Sequence, residues 1–103
     1  MNKILNLIGL AQRAGKLISG EAFCIEAIRK HEALVILLAS DAGINTTKRI
    51  IDKAHFYQVS VISDFTSKEL STAIGKNNRM VIGVIDPGFA KKIKEIGDLN
   101  GKS

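Results

Sequence analysis

Hydrophobic positions in this chain switch between helical and strand periods often enough to mark nine elements. Over residues 2–14, Ile4, Leu5, Ile8 and Ala11 share one helical face, and Gly15 follows where a helix C-terminus is expected. Leu17-Ile18-Ser19 suits a short strand, and Gly20 allows a tight turn into a second helix, Glu21 to Lys30. That helix carries Glu21 at its positive end and Arg29 and Lys30 at its negative end. Leu34 to Ala39 is a continuous apolar run, as in a strand covered on both faces, and Ser40-Asp41-Ala42-Gly43 closes it with turn chemistry. A third helix is predicted from about Asn45 to Tyr57, with Ile50, Ile51 and Ala54 inward and Lys48, Arg49, Asp52 and Lys53 outward. Val59-Ser60-Val61-Ile62 reads as the next strand. Thr66-Ser67-Lys68-Glu69 matches a capping box, which opens a fourth helix that ends at Ile74 before Gly75. Met80 to Ile85 is another buried strand, Asp86-Pro87-Gly88 a turn, and Phe89, Ile93 and Ile96 mark a final helix.

The order α-β-α-β-α-β-α-β-α predicts an α/β fold, a three-layer α/β/α sandwich around a four-stranded mixed sheet, with right-handed crossovers between parallel neighbours. Residues 1–97 are expected to form one domain and 98–103 a frayed C-terminal tail. At 103 residues, a chain buries roughly two-thirds of its unfolded surface without needing disulfides or metal. With 46% hydrophobic residues, 24% charged and one Pro, it is neither a disordered tail nor a disulfide scaffold.

Charge narrows the choice of partner. Fifteen Lys and Arg against ten Asp and Glu leave a formal charge of +5, which attracts phosphate-rich surfaces but also serves solubility alone. No apolar run approaches the roughly 18–20 residues of a membrane span, and Met1-Asn2-Lys3-Ile4 does not begin a signal peptide. A cytoplasmic protein without a membrane partner is expected. The single Cys24 allows no internal disulfide, and no Cys or His spacing matches a zinc site, so neither metal nor cofactor is expected.

Catalytic motifs fail one by one. Gly9 and Gly15-Lys16 do not form a phosphate loop, because the spacing is wrong, Leu17 replaces Ser/Thr, and a helix precedes them. No dinucleotide-binding glycine pattern follows the first strand. Asp41, Asp64 and Asp86 fall at strand ends, either as a magnesium site or as ordinary turn and helix-capping residues. His31 and His55 read as surface side chains. Cys24 shares a helical face with Ile25 and Ile28, as a buried small hydrophobe would. No catalytic set emerges, and the chain is expected not to be an enzyme.

The cations gather in three places: Arg13 with Lys16, then Lys48 with Arg49 and Lys53, and finally Lys76 with Arg79 around Asn77-Asn78. The first cluster is expected near the helix N-terminus at Gly20, where free N–H groups and the helix dipole favour phosphate. For Lys48, Arg49 and Lys53, a solvated helix face interleaved with Asp52 explains the pattern as well as a binding role does.

The stretch Leu10-Ala11-Gln12-Arg13-Ala14-Gly15-Lys16-Leu17-Ile18-Ser19-Gly20, then Ala27-Ile28-Arg29, Leu34 to Ala42, Ile74-Gly75-Lys76 and Asp86-Pro87-Gly88-Phe89-Ala90 resemble the kink-turn RNA-binding family of ribosomal proteins L7Ae and L30e. Within that family the chain resembles the short bacterial YlxQ-type members. The resemblance implies a domain that reads a kinked RNA duplex with the turn at Gly20 and the loop after Gly75. In that family the turn runs Gly-x-Asn-Glu or Gly-x-Lys-Gln, its polar side chains read guanine edges, and a basic residue follows three positions later. Here Ala22 and Phe23 occupy the reading positions and Glu26 the basic one. Losing two base contacts worth about 1–3 kcal/mol each weakens specific binding, while phosphate contacts and shape recognition survive.

The expectation is therefore a non-enzymatic RNA-binding domain for structured, kink-turn-like or ribosomal RNA. Ribosomal or ribonucleoprotein proteins are expected as neighbours, with no preference for DNA. Lys16 and Gly20 are assigned to phosphate at the kink, Lys76 and Arg79 to backbone, Asn77 and Asn78 to base or sugar edges, and Lys48 and Arg49 to peripheral electrostatics. Glu21 is an available acceptor for a guanine, and Phe23 is expected to pack against the helix's apolar neighbours instead of stacking on a base. The competing expectation is a protein-interaction module on the same fold, with specific kink-turn reading lost at Ala22, Phe23 and Glu26.

Overall fold

The computed structural model describes residues 2–101, with side chains through Gly97. Its elements alternate as α1 (Lys3–Arg13), β1 (Leu17–Ser19), α2 (Glu21–Arg29), β2 (Val35–Leu38), α3 (Ile44–Phe56), β3 (Ser60–Ile62), α4 (Ser67–Ile74), β4 (Val81–Val84) and α5 (Pro87–Gly101). Of the frayed tail expected at 98–103, the backbone of 98–101 continues α5, no side chain is described, and 102–103 lie outside the described residues altogether.

The four strands form one mixed sheet in the order β1-β4-β2-β3. β4 runs antiparallel to both β1 and β2, whereas β2 and β3 are parallel. Continuous apolar runs in the two central strands follow from burial on both faces. Val35, Leu37, Ile82 and Val84 pack with Ile4, Ile8, Leu70, Ile74 and Ile93 on one face. The intervening Ile36, Leu38 and Val81 pack with Cys24, Ile28 and Ile50 of α2 and α3 on the other. Period-two alternation within each strand thus supplies two cores from one run of hydrophobic residues.

Helix ends follow their local chemistry. Thr66 and Glu69 form the reciprocal capping box at α4, and Gly75 closes that helix in the left-handed conformation at φ 70°. Asp86-Pro87-Gly88 does not form a separate turn: Asp86 Oδ2 accepts from Phe89 N at 2.9 Å, and Pro87 opens α5. Proline suits a first helical position because the N–H it lacks has no intrahelical acceptor there. Ile51, expected inward, is instead 42% exposed. The buried face of α3 is set by Ile50 and Ala54, and Ile51 lies about 100° round the helix from Ile50.

Topology has one consequence for function. Because β1, β2 and β3 run in one direction and β4 in the other, the C-terminal ends of the first three strands and the N-terminal end of β4 share one rim of the sheet. Helices α2, α3 and α4 all begin from that rim, so three positive helix-dipole ends gather there.

Candidate nucleic-acid interface

At the rim, β1 is followed by Gly20, the residue that caps α2, whose φ of 105° excludes most side chains. Gly20 N donates to Val81 O at 3.0 Å, and its own carbonyl accepts from Cys24 N to begin α2. This single residue therefore joins the first turn of α2 to the start of β4, where the 75–80 loop arrives. Val81 follows Arg79 and Met80, so the turn and the loop singled out in the sequence are neighbours.

The loop is positioned from beneath. Gly75 and Asn78 both take positive φ, 70° and 55°, conformations that glycine and asparagine adopt most readily. Ser71, the one buried polar side chain among the described residues, accepts from Arg79 N at 2.8 Å. Arg79 is half-buried, and its Nε has no hydrogen-bond partner among the described protein atoms. Lys76, Asn77 and Asn78 are exposed.

The rim's helix N-termini differ in how they are capped. Thr66 caps α4, reinforced by Asp41, whose carboxylate accepts from Ser67 N and Ser67 Oγ, each at 2.7 Å. By contrast, α2 and α3 begin at Gly20 and Gly43, neither of which supplies a side-chain cap. Their first N–H groups have no such acceptor and stand ready for an anion. The sequence pattern places Gly43 in the turn after β2 and starts the helix at about Asn45, whereas α3 begins at Ile44; a glycine immediately before an amphipathic run is the available signal.

Glu21 is not a free acceptor. Its carboxylate takes a hydrogen bond of 2.7 Å from Thr46 Oγ1 and an ion pair from Arg49 Nε, both on α3. The Arg49 hydrogen bond, followed by that of Thr46, holds the Glu21 carboxyl below its ordinary range, and Glu21 in turn raises Arg49. Two proposed contact residues thus satisfy each other. Glu26 is likewise engaged, with Arg29 at 3.0 Å and Lys30 at 3.6 Å. These pairs offset the acidic charge that the sequence placed beside the turn.

Lys16 belongs elsewhere. Its carbonyl accepts from Ile85 N, at the end of β4 opposite Val81. Four extended-chain steps lead from it to Gly20, about 13 Å at the usual rise per residue. Lys48 is exposed on α3 and makes no ion pair among the described residues.

Phe23, expected to pack, is 72% exposed. The core-facing positions of α2 are Cys24, Ala27 and Ile28, which leaves the preceding residue on the helix flank. Cys24 is fully buried, and desolvation pushes its thiol up to about 12. Asp41 and Asp86 serve as helix-capping acceptors, while Asp64 is exposed. The described residues contain no cluster of three or more His, Cys, Asp or Glu arranged to hold a metal ion. None of the described helices is long and apolar enough to cross a membrane.

An α/β/α sandwich with a strand-to-helix glycine turn hydrogen-bonded beside a cationic loop is the architecture this chain presents. The chain belongs to the ribosomal protein L7Ae/L30e/S12e/Gadd45 family, which it matches over residues 2–94. It is 48% identical over 94 residues to the RNA-binding protein YlxQ of Enterococcus faecium, covering 91% of this chain and 90% of that protein. It is 41% identical over 92 residues to the RNA-binding protein YlxQ of Bacillus subtilis strain 168, covering 89% and 92% respectively. A solved Bacillus halodurans C protein, described as having unknown function, superposes with a TM-score of 0.91 at 41% identity, covering 95% of this chain and 99% of that one. The Giardia lamblia 15.5kD RNA binding protein shares the fold at a TM-score of 0.83 and 16% identity, covering 95% and 85%.

Proposed function

We propose that this protein binds structured RNA, reading a bent, kink-turn-like duplex through its shape and phosphates, as a component or partner of ribonucleoprotein assemblies. The Gly20 N–H to Val81 O hydrogen bond carries this reading, because it sets the α2 N-terminus against the Lys76–Arg79 loop. Uncapped N–H groups at α2 and α3 suit phosphate oxygens. Lys76 and Arg79 supply cations without an ion-pair partner among the described residues. Relatives that cover nine-tenths of the chain and carry an RNA-binding name support the same conclusion. Base-edge reading is reduced, since Ala22 has no polar side chain and Glu21 is held by α3.

The test compares a kink-turn RNA with a straight duplex of equal length by filter binding. Preferential binding of the kinked RNA is expected, whereas equal binding to both overturns shape recognition and leaves general charge attraction. Binding to neither favours a protein-interaction module, the reading to which exposed Phe23 and Ile44, 72% and 84% accessible, lend weight.

A further inference from the structure

Phe23 stands out because a large apolar ring occupies an exposed position on the flank of α2. Cys24, Ala27 and Ile28 already fill the inward face of α2, and a polar residue on the flank would avoid the cost of hydrating an aromatic ring. The ring lies close to the turn: its Cδ2 is 3.6 Å from where a Cβ on Gly20 would stand. One edge of the ring thus faces the turn, and 72% of the residue remains accessible. Its neighbour Ala22 projects no more than a methyl group beside it.

Charge around this position selects among occupants. Glu21 is neutralised by Arg49, and Glu26 by Arg29 and Lys30. Directly beside Gly20 stand the uncapped α2 N-terminus and the cations of the 75–80 loop, joined through Gly20 and Val81. An exposed aromatic beside phosphate-binding groups is the combination that holds unpaired nucleotides, by stacking the base and pairing the backbone with cations.

We infer that Phe23 is a stacking platform for an unpaired RNA base, set beside the phosphate-binding Gly20 turn, so that this chain takes a bulged nucleotide by its π-face and tolerates different bases there. The inference rests on the RNA-binding reading above. Stacking is indifferent to hydrogen-bond pattern because every base has a π-face. It thus replaces the base-edge contacts that Ala22 and Phe23 cannot make.

The test uses the full chain and a duplex with a three-nucleotide bulge containing 2-aminopurine, alongside an unbroken duplex. Phe23→Ala and Phe23→Leu are expected to weaken binding of the bulged RNA by roughly 5- to 150-fold, the range of a base–aromatic stack. Phe23→Trp should retain it, and the salt slope should stay constant because no phosphate contact is lost. Wild-type protein should quench 2-aminopurine on binding, and Phe23→Leu should not. Thermal melts matching wild type establish that the exposed substitutions leave folding intact. If wild type binds the bulged RNA and Phe23→Leu binds and quenches equally, the platform is overturned while RNA binding stands. If wild type binds neither RNA, the RNA-binding reading falls and the platform with it.

Discussion

Glu21 on α2 and Arg49 on α3 form an ion pair across the two helices that start at the same rim of the sheet, with Thr46 completing the carboxylate's contacts. The pair both fastens the helices and withholds one cation from any RNA. Glu21→Gln is therefore expected to release Arg49, tighten RNA binding and steepen the salt slope by about one contact. Were Glu21 a direct acceptor for guanine, the same change would weaken binding instead, and a salt titration separates the two. Stability should change little, because solvent screens a pair this exposed. Since the Glu21 carboxyl is lowered by Arg49 and Thr46, its contribution is present at neutral pH and lost as pH falls through the lowered value.

Lys76→Ala combined with Arg79→Ala should weaken RNA binding and reduce the salt slope by about two phosphate contacts. Lys16→Ala, about 13 Å along the chain from the Gly20 turn, should change the slope by less than half a contact. A larger effect from Lys16 than from the loop pair would move the interface to the opposite rim.

Ser71→Ala leaves Arg79 N–H without its 2.8 Å acceptor. The expected cost is about 1–3 kcal/mol in chemical denaturation. Faster amide exchange should appear at Arg79, together with weaker RNA binding, because the loop loses its anchor. Unchanged exchange at Arg79 would show that the loop is held by other contacts.

Gly9→Ala sets helix propensity against packing. Alanine gains about 1 kcal/mol over glycine within a helix, but its Cβ would lie 2.9 Å from the Ala73 carbonyl oxygen. Backbone on both sides resists relaxation, so net destabilisation of about 1–3 kcal/mol is expected in urea melts. A stabilised variant would show that α1 and α4 move apart freely.

Cys24 should resist a thiol reagent at pH 8 until the chain unfolds, because it is buried and its thiol is raised to about 12. Above pH 9 the unfolded chain releases this proton before the folded chain does. Its contribution to stability is therefore intact below pH 9 and lost as pH rises toward 12. Rapid labelling of native protein would contradict this burial.

Local pattern was enough to read most of the architecture. Unbroken apolar runs at Leu34–Ala39 and Met80–Ile85 announced strands covered on both faces, and Thr66 with Glu69 announced the start of α4. The face of α3 was harder, because adjacent isoleucines 50 and 51 satisfy the same pattern and only packing against β2 and β3 chooses between them. Phe23 was hidden for a related reason: its position beside a buried face suggested packing, but side-chain direction on the flank left it in solvent.

The sequence by itself determined the order of elements, the glycine turn into α2, the basic loop and the family resemblance, since each depends on residues close together along the chain. Only the tertiary structure decided which charges are available. Glu21 meets Arg49 across 28 positions and Asp41 meets Ser67 across 26, distances at which local pattern carries no information. Strand direction then placed Lys16 and Gly20 at opposite ends of β1 while bringing Gly20 to Val81. An excess of five positive charges becomes a specific surface in this way, because Coulomb attraction depends on which groups the fold pairs and which it leaves facing a partner.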